Sequence, residues 1–404
     1  MLSVEAARAR ILAALSPLAA ETIPVADSLG RVLAEDLTAR VTQPPAAVSA
    51  MDGYAVRGSD VATAPVTLRQ IGAVPAGGDF AAPISAGECV RIFTGAPLPA
   101  GAETIVIQEN VTAVGDAITI NEVTPSARYV RPAGLDFRVG DIGIVAGDLI
   151  TVRKLGLAAA MNRPWLRVTR RPRVAILATG DEIVMPGDPV GPSQIVSSNG
   201  LALAAFVRAW GGEPIQLGIA PDRTEALQAM ASGARGADLL VTTGGASVGE
   251  HDLVRSALGA TGLDLDFWQI AMRPGKPLLF GRIDATPLLG LPGNPVSSLV
   301  CSLIFLRPAL LRMLGMRDLS EHRLPAIAGC DLPANDTRQD YLRASLSRGA
   351  NRELIATPFA KQDSSMLSLL ARADALVIRP PDAPALRAGD GVEILSLADS
   401  LIAV

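Results

Sequence analysis

A glycine-rich loop at residues 242–249 (TTGGASVG) stands between a run of apolar residues typical of a buried strand and a predicted helix. Gly244 and Gly245 allow the backbone to approach a phosphate closely, and the first N–H groups of a helix attract anions. Ser247 adds a hydroxyl donor. The same residues also fit a tight strand-to-helix turn without a ligand. The loop lacks the Lys of a Walker A motif and the glycine spacing of a dinucleotide fingerprint.

Carboxylates follow the ends of several predicted strands. Residues 178–182 (ATGDE) close one of them with a Thr-Gly turn followed by Asp181 and Glu182. Acidic groups beside a bound phosphate repel it unless a cation bridges the two, so this pair predicts Mg²⁺ at the phosphate site. Asp181 also fits a cap of the following turn. From their spacing alone, Asp222 and Asp252 fit helix caps or first-turn acids.

Two cations occupy a stiff turn at residues 272–277 (MRPGKP). Prolines fix the geometry of this turn, so Arg273 and Lys276 suit the binding of a phosphate, a pyrophosphate or an oxyanion. A surface turn with solvated charges is the alternative. The junction at residues 290–298 (GLPGNPVSS) has Pro near the first helical turn and offers Asn294 and Ser297 as ligand contacts.

Two loops that precede these motifs also carry conspicuous polar residues. They are residues 49–56 (SAMDGYAV) and 93–101 (FTGAPLPAG). A turn needs their Gly and Pro residues, but no turn requires Asp52 or Thr94 in particular. Neither loop by itself indicates a substrate.

The composition of the chain narrows the classes of ligand and partner that it can bind. A net charge of −4, the absence of a basic block and 3% aromatic residues argue against binding to nucleic acid. Three dispersed cysteines and two histidines fit neither a disulfide framework nor a zinc site, so carboxylates and phosphate would have to hold a divalent cation, which favours Mg²⁺. Apolar runs such as 200–207 and 299–306 are too short to span a membrane, and the N-terminus lacks a signal-peptide pattern. We therefore expect a cytoplasmic protein with no membrane partner.

The elements that must hold these motifs change in character along the chain. Residues 35–147 are rich in Gly and Pro with short alternating stretches, which predicts small β units. Residues 173–314 alternate between strands and helices, as in a doubly wound parallel sheet that binds ligands at the carboxyl ends of its strands. The pattern beyond residue 317 predicts a small sheet or barrel. We expect an α/β and β multidomain protein with an N-terminal helical linking subdomain (1–40 plus 141–172), a β-rich subdomain (41–140), a doubly wound α/β domain (173–317) and a C-terminal β-barrel-like domain (318–404).

Individual elements follow from the same patterns. Val4, Ala7, Ile11 and Leu15 predict an N-terminal amphipathic helix. Within the α/β domain we expect a helix capped by Asp222 that runs to residue 235 and a long apolar helix after Pro295. Strands are expected at 173–179, 214–220, 238–242, 266–270, 277–281 and 288–291, with a further helix at 199–210.

Taken together and in order, these motifs resemble those of the molybdopterin molybdenumtransferases, the MoeA family, whose animal relatives form the C-terminal part of gephyrin. The resemblance spans essentially the whole chain, and the ordered set is far more specific than any single motif. It rests on SAMDGYAV (49–56), FTGAPLPAG (93–101), ATGDEI (178–183), TTGGASVGEHD (242–252), RPGKP (273–277), GLPGNPVSS (290–298), YLRA (341–344) and QDSSML (362–367).

The resemblance implies an elongated homodimer whose α/β domain is shared with molybdopterin adenylyltransferases. It implies an enzyme that takes adenylylated molybdopterin and molybdate, releases AMP with Mg²⁺ present and yields molybdenum cofactor. The active site would lie between protomers, with the α/β domain of one facing the SAMDG and FTGAP loops of the other. The functional positions carried over by motif are Asp52, Thr94, Asp136, Glu182, Asp222, Asp252, Arg273, Lys276, Arg343 and Ser364.

The two lines of reasoning lead to one hypothesis. Glu182, with Asp222 or Asp252, holds Mg²⁺ at the pyrophosphate linkage, and molybdate lies near Arg273, Lys276 and Arg343. Gly244, Gly245, Ser247, Asn294, Ser297, Arg343 and Ser364 are the expected substrate-binding residues.

This chain departs from the family at two motif positions. The family usually has Lys where Arg273 stands, and a planar guanidinium differs from a point charge. It also often has Asp or Asn where this chain has Ser197.

Two other functions compete with the transferase. A paralogue that carries or scaffolds molybdopterin without transferring metal would be consistent with the two departures, but the acidic set is intact. An adenylyltransferase would share the α/β domain, but enzymes of that class normally lack the flanking β regions.

Overall fold

The computed structural model of the chain describes residues 1–244, 259 and 263–397. The expected site residues Gly245, Ser247 and Asp252 lie outside the described residues.

The N-terminal helix forms as its apolar spacing predicts. It is α1 (Val4–Ala13), and the Ser3 hydroxyl accepts a hydrogen bond from the Ala6 amide at 3.1 Å, which caps its first turn. Val4, Ala7, Ile11 and Leu15 are all buried against the core of the α/β region. The prediction of one apolar face is confirmed.

The next part of the chain is mostly β-structure. Six of its strands form a sheet in the order β7-β4-β6-β5-β9-β8, in which only the β5–β6 pair is parallel. Paired ribbons β1–β12, β2–β11 and β3–β10 join segments that are distant in sequence. The elements are β1 (Ala20–Pro24), β2 (Leu37–Thr38), β3 (Val48–Ser49), β4 (Gly53–Val56), β5 (Val66–Val74), β6 (Glu88–Ile92), β7 (Thr104–Ile107), β8 (Val111–Val114), β9 (Ala117–Ile120), β10 (Val130–Arg131), β11 (Ile142–Ile144), α2 (Val152–Ala160) and β12 (Trp165–Thr169).

An α/β unit follows, built on a six-stranded sheet in the order β16-β13-β17-β21-β20-β18. Side chains of β13 alternate between its faces, so Val174 and Ile176 pack with the α3 and α5 side and Ala175 and Leu177 with the α4 side. The elements are β13 (Arg173–Thr179), β14 (Ile183–Val184), β15 (Ile195–Val196), α3 (Asn199–Ala209), β16 (Glu213–Ala220), α4 (Thr224–Ala231), β17 (Leu239–Thr243), β18 (Leu263–Phe267), β19 (Met272–Arg273), β20 (Leu279–Ile283), β21 (Thr286–Leu291) and α5 (Pro295–Met313).

The sheet differs from the expected all-parallel one. Strands β16, β13, β17 and β21 are parallel, whereas β20 and β18 form an antiparallel edge. Only two residues join β20 to β21, and Asp284 has a left-handed φ of 51° there. So short a connection can make only a hairpin. The two edge strands also differ in position from the expected ones. The strand expected at 266–270 is β18, which begins and ends earlier in the chain, and the strand expected at 277–281 is β20, which begins and ends later.

Asp222 does not cap α4. The helix begins at Thr224, its N-cap position is Arg223, and no side chain caps it. It ends at Ala231 and is followed by a short 3₁₀ turn, so it does not run to residue 235 as a regular α-helix. The expected cap was wrong because the helix begins two residues after Asp222, which places the extended Arg223 at the N-cap position.

The apolar helix after Pro295 is longer than the run 299–306 indicates. It extends without interruption over 19 residues, with a π-helical middle at Ser302–Leu306. In length and composition it alone among the described helices matches a membrane span, yet 78% of its apolar window is buried inside the protein. Its burial is that of a core helix.

The C-terminal strands close into a barrel, as expected. Five of them are hydrogen-bonded in the closed order β23-β24-β22-β26-β25-β23, and β19 from the α/β region adds to β23 in parallel. The elements are β22 (Arg323–Ala328), β23 (Gln339–Arg348), β24 (Leu354–Pro358), α6 (Leu367–Leu370), β25 (Ala375–Arg379) and β26 (Gly391–Ser396).

Candidate functional site

A cleft of about 860 Å³ opens at the carboxyl ends of β13, β17 and β21, with the barrel forming part of its wall. Parallel strands direct their following loops to one edge of a sheet, so motifs distant in sequence meet there. The expected site residues that line the cleft are Glu182, Gly244, Arg273, Lys276, Asn294, Ser297 and Ser364.

Close backbone approach explains the glycine at the end of β17. Gly244 has φ of 93°, and a Cβ there would lie 2.3 Å from the Thr179 carbonyl oxygen. A Cβ at Gly293 would in turn contact the Gly244 Cα at 3.4 Å. The loops after β13, β17 and β21 are therefore packed backbone to backbone. This packing leaves no room for a side chain at position 244.

The acids at this edge have different roles. Asp181 Oδ1 accepts a hydrogen bond from the Asp222 amide at 3.0 Å, so it ties the ends of β13 and β16 together by capping the turn after β16, and not the turn that follows it in sequence. Glu182 lines the cleft and is exposed, and its carboxylate accepts no hydrogen bond from the described residues. Asp222 is exposed but does not line the cleft. Within the described ranges no cluster of three potential metal ligands is present.

The two cations of the MRPGKP turn also differ. Arg273 donates to Asp336 Oδ2 at 3.2 Å and to Asn335 Oδ1 at 3.3 Å, and it forms an ion pair with the buried Asp340. Burial raises the pKa of Asp340, and the Arg273 hydrogen bond opposes that rise. Lys276 is half-buried, lines the cleft, and forms no ion pair with the part of the chain that the structure describes.

The MRPGKP turn packs closely against helix α5. Gly275 has φ of 116°, and a Cβ there would lie 2.4 Å from Cys301 Sγ on α5. Burial raises the pKa of the Cys301 thiol well above its usual range, so this cysteine is a neutral packing residue. This close packing of Gly275 on Cys301 sets the distance between the turn and α5, and so helps to position Lys276.

The loop at 362–366 brings the barrel to the cleft. Asn294 Nδ2 donates to Ser364 Oγ at 2.9 Å, across the seam between the two regions. Arg343 is 1% exposed and is not among the residues that line the cleft. Its Nε donates to Gln362 Oε1 at 3.2 Å and its Nη1 to the Met366 carbonyl at 3.2 Å, so it brackets the segment that presents Ser364.

Sequence reasoning missed several residues that line the same cleft, among them Arg338, Gln362 and Ser365. Arg338 pairs with Asp336 at 2.7 Å, and its hydrogen bonds lower the pKa of Asp336 to about 2. Two signals were available: Arg338 directly precedes the strand that carries the YLRA motif, and Gln362 and Ser365 belong to the QDSSML motif.

The expected site residues of the N-terminal β region lie elsewhere. Thr94 donates to Asp52 Oδ1 from its amide at 2.7 Å and from its hydroxyl at 2.8 Å, and these bonds lower the pKa of Asp52. Asp136 lines a separate cleft of about 400 Å³ beside α2. None of these residues lines the large cleft, so the folded chain does not bring all the expected site residues together.

Comparison with known proteins gives matches along most of the chain. Residues 2–162 match the model of the MoeA N-terminal region (domain I and II), residues 175–312 that of a probable molybdopterin binding domain, and residues 325–397 that of the MoeA C-terminal region (domain IV).

Individual relatives agree with the family models. A protein of Mycobacterium tuberculosis named molybdopterin molybdenumtransferase 2 is 35% identical over 386 residues, covering 93% of this chain and 95% of the relative. The molybdopterin molybdenumtransferase of Haemophilus influenzae is 32% identical and covers 98% of each chain. The crystal structure of a molybdopterin biosynthesis MoeA protein from Pyrococcus horikoshii superposes with a TM-score of 0.85 at 31% identity, covering 99% of this chain and 100% of that one.

Proposed function

The chain belongs to the MoeA family, and we propose that it is a transferase that inserts molybdenum into molybdopterin. In this proposal adenylylated molybdopterin and molybdate are the substrates, and AMP and molybdenum cofactor are the products. One observation carries it: relatives bearing the transferase name are similar along nearly the whole chain. The cleft agrees with it, because it gathers part of the residue set that the resemblance marks as functional: Glu182, Arg273, Lys276 and Ser364.

The phosphates of the substrate are assigned to the loop after β17. Gly244 lines the cleft, and its close packing against the Thr179 carbonyl holds the loop backbone there, where peptide N–H groups can bind a phosphate. Ser297 and Asn294 from the neighbouring junction add polar groups on the same edge. Gly245 and Ser247 remain part of the proposal from their sequence positions.

Glu182 suits Mg²⁺ because its carboxylate is exposed to the cleft and accepts no hydrogen bond from described residues. Asp222 follows the strand end that Asp181 ties to the Glu182 turn. Glu182, with Asp222 or Asp252, would hold the cation, which would offset phosphate charge when the pyrophosphate linkage is cleaved.

Molybdate is assigned to the part of the cleft that Lys276 and Ser364 line. Lys276 has no competing carboxylate among the described residues, whereas the charge of Arg273 is matched by Asp336 and Asp340. We therefore give Lys276 the direct anion contact. Arg273 and Arg343 act as positioning residues that hold the turn and the Ser364 loop.

A homodimer completes the site in this proposal. Asp52, Thr94 and Asp136 do not line the cleft of their own protomer. We assign them to the cleft of the partner, with the SAMDG and FTGAP loops facing it. The protein is proposed to work in the cytoplasm, without nucleic acid or a membrane as partner.

The deciding experiment is a reconstitution with adenylylated molybdopterin, molybdate and Mg²⁺, followed by AMP release and by activation of a cofactor-free molybdoenzyme. We expect AMP to appear only when both molybdate and Mg²⁺ are present. Glu182→Ala should abolish it. Tight binding of the nucleotide by the wild-type protein without turnover would overturn the transferase proposal in favour of a carrier.

A further inference from the structure

Asn199 connects the two loops that form the floor of the cleft. It is the first residue of α3, and its side-chain Nδ2 donates to Thr243 Oγ1 at 2.8 Å and to the Gly293 carbonyl oxygen at 2.7 Å. Thr243 ends β17 and Gly293 follows β21, so one amide group spans two neighbouring strand ends. The transferase proposal gives this residue no role.

The hydrogen-bond network fixes which way the amide faces. The Gly293 carbonyl can only accept, and the Thr243 hydroxyl donates its hydrogen to the Pro292 carbonyl at 3.2 Å and so must accept from Asn199. Both partners therefore require an N–H group. Rotating the amide by 180° would set its oxygen against the Gly293 oxygen, which excludes the flipped orientation.

With both Nδ2 hydrogens engaged, the amide has one group left for a ligand. That group is Oδ1, and no described residue donates to it. Asn199 is half-buried and lines the cleft. A rigidly held acceptor in a cleft distinguishes ligands that offer an N–H at that point from ligands that do not.

We propose that Asn199 is a specificity-determining residue whose Oδ1 accepts a hydrogen bond from an amino group of a heterocycle in the ligand. The identity of that heterocycle rests on the proposed function, which supplies two sources of the same chemistry: the amine of adenine and the amine of the pterin. Asn199 also positions the phosphate loop, since the amide that offers Oδ1 holds Thr243 and Gly293 together.

The test compares matched ligand pairs at equilibrium, without molybdate. AMP is paired with IMP, in which the adenine amine is replaced by oxygen, and a pterin is paired with the lumazine that lacks its amine. Binding to wild type and to Asn199→Ala is measured for all four. We expect wild type to prefer the amine-bearing member of one pair by roughly tenfold, and Asn199→Ala to lose that preference. The pair that responds identifies the source.

Two control variants separate recognition from loop support. Asn351→Ala removes the same amide group from an exposed turn that does not line the cleft, and it should leave every affinity unchanged. Thr243→Val removes one acceptor for Nδ2 but keeps Oδ1, so it should weaken both members of a pair alike and retain the preference.

Two results would overturn the inference. One is that wild type shows no preference in either pair. The other is that Asn199→Ala weakens both members of each pair by the same factor, because a purely structural clamp would act in that way. Since no turnover is needed, a wild-type protein that fails to release AMP would count against the proposed function and leave this result standing.

Discussion

At the residue scale, the cleft shows that charge alone does not identify an anion-binding side chain. Arg273, Lys276, Arg338 and Arg343 all belong to its walls or their supports. Three of them are engaged by protein groups: Arg273 and Arg338 by carboxylates, and Arg343 by Gln362 and the Met366 carbonyl. Lys276 is left to meet a ligand.

Arg343→Ala should therefore destabilise the fold as well as reduce activity. It removes the guanidinium donor from the Met366 carbonyl and one of the two donors from Gln362 Oε1, which keeps its bond from the residue 343 amide, and it empties the space of a buried side chain, which together cost about 1–3 kcal/mol. Arg348→Ala is the matched control, since Arg348 lies on the same strand and is exposed, and it should change stability by less than about 0.5 kcal/mol. Urea denaturation measures both. An Arg343→Ala protein as stable as wild type would show that the guanidinium serves the ligand and not the loop.

The Asp52–Thr94 pair predicts a pH effect. Because the hydrogen bonds from Thr94 lower the folded-state pKa of Asp52, their stabilisation is present above the unfolded pKa of 3.8 and is lost as the pH falls through the folded value. Thr94→Val removes the hydroxyl donor and should raise the Asp52 pKa toward 3.8, whereas Thr94→Ser should keep it low. An NMR titration of the carboxylate reads this out directly. Equal pKa values in the two variants would mean that the backbone amide alone sets the shift.

At the element scale, the strand ends show how far sequence reasoning reaches. Motifs that follow β13, β17 and β21 were expected to meet because parallel strands deliver their loops to one edge, and the cleft lies there. Arg338 was missed because its place depends on how the barrel packs against the sheet, which no local pattern encodes. Gln362 belongs to the QDSSML motif, but from that motif only Ser364 was expected at the site. The burial of Arg343 likewise depends on the packing of distant segments, so the sequence around it does not predict it. Asp222 was misjudged as a cap because acids suit both caps and exposed turns.

Gly244 offers a test of the backbone packing between these loops. Gly244→Ala would place a Cβ 2.3 Å from the Thr179 carbonyl at a positive φ, which should cost at least about 1–3 kcal/mol and impair ligand binding. Gly156→Ala is the matched control: that glycine lies inside α2 with open space around it, and alanine should stabilise by about 0.5–1 kcal/mol. Thermal unfolding of both proteins tests the contrast. A neutral Gly244→Ala change would mean that the loop has room to relax.

At the scale of the whole molecule, the separation of Asp52 and Thr94 from the large cleft is the feature to explain. If they complete the cleft of the partner, two inactive variants should restore each other. A heterodimer of Glu182→Ala and Asp52→Ala chains keeps one site in which both residues are intact. Random pairing should then give about a quarter of wild-type activity.

Co-expression of the two variants with separate affinity tags measures this restoration, and each variant alone supplies the inactive baseline. Activity no greater than the baseline in a verified heterodimer would place both residues in a single protomer's site. The four domain boundaries expected from the sequence remain a prediction, which limited proteolysis would test.

The addition of β19 to the barrel has a consequence for motion. Met272 and Arg273 leave the α/β sheet and pair with Gln339 and Asp340, so the Lys276 turn is hydrogen-bonded to the wall that faces it. The turn that carries Lys276 and the barrel strand β23 are therefore joined by backbone hydrogen bonds. A hinge motion that separated the two would have to break these bonds. Under the proposed function, the pterin nucleotide would enter and leave without separating these two parts of the cleft. Slow amide exchange at Gln339, whose N–H donates to the Ala271 carbonyl at 2.9 Å, would be the signature of that rigidity.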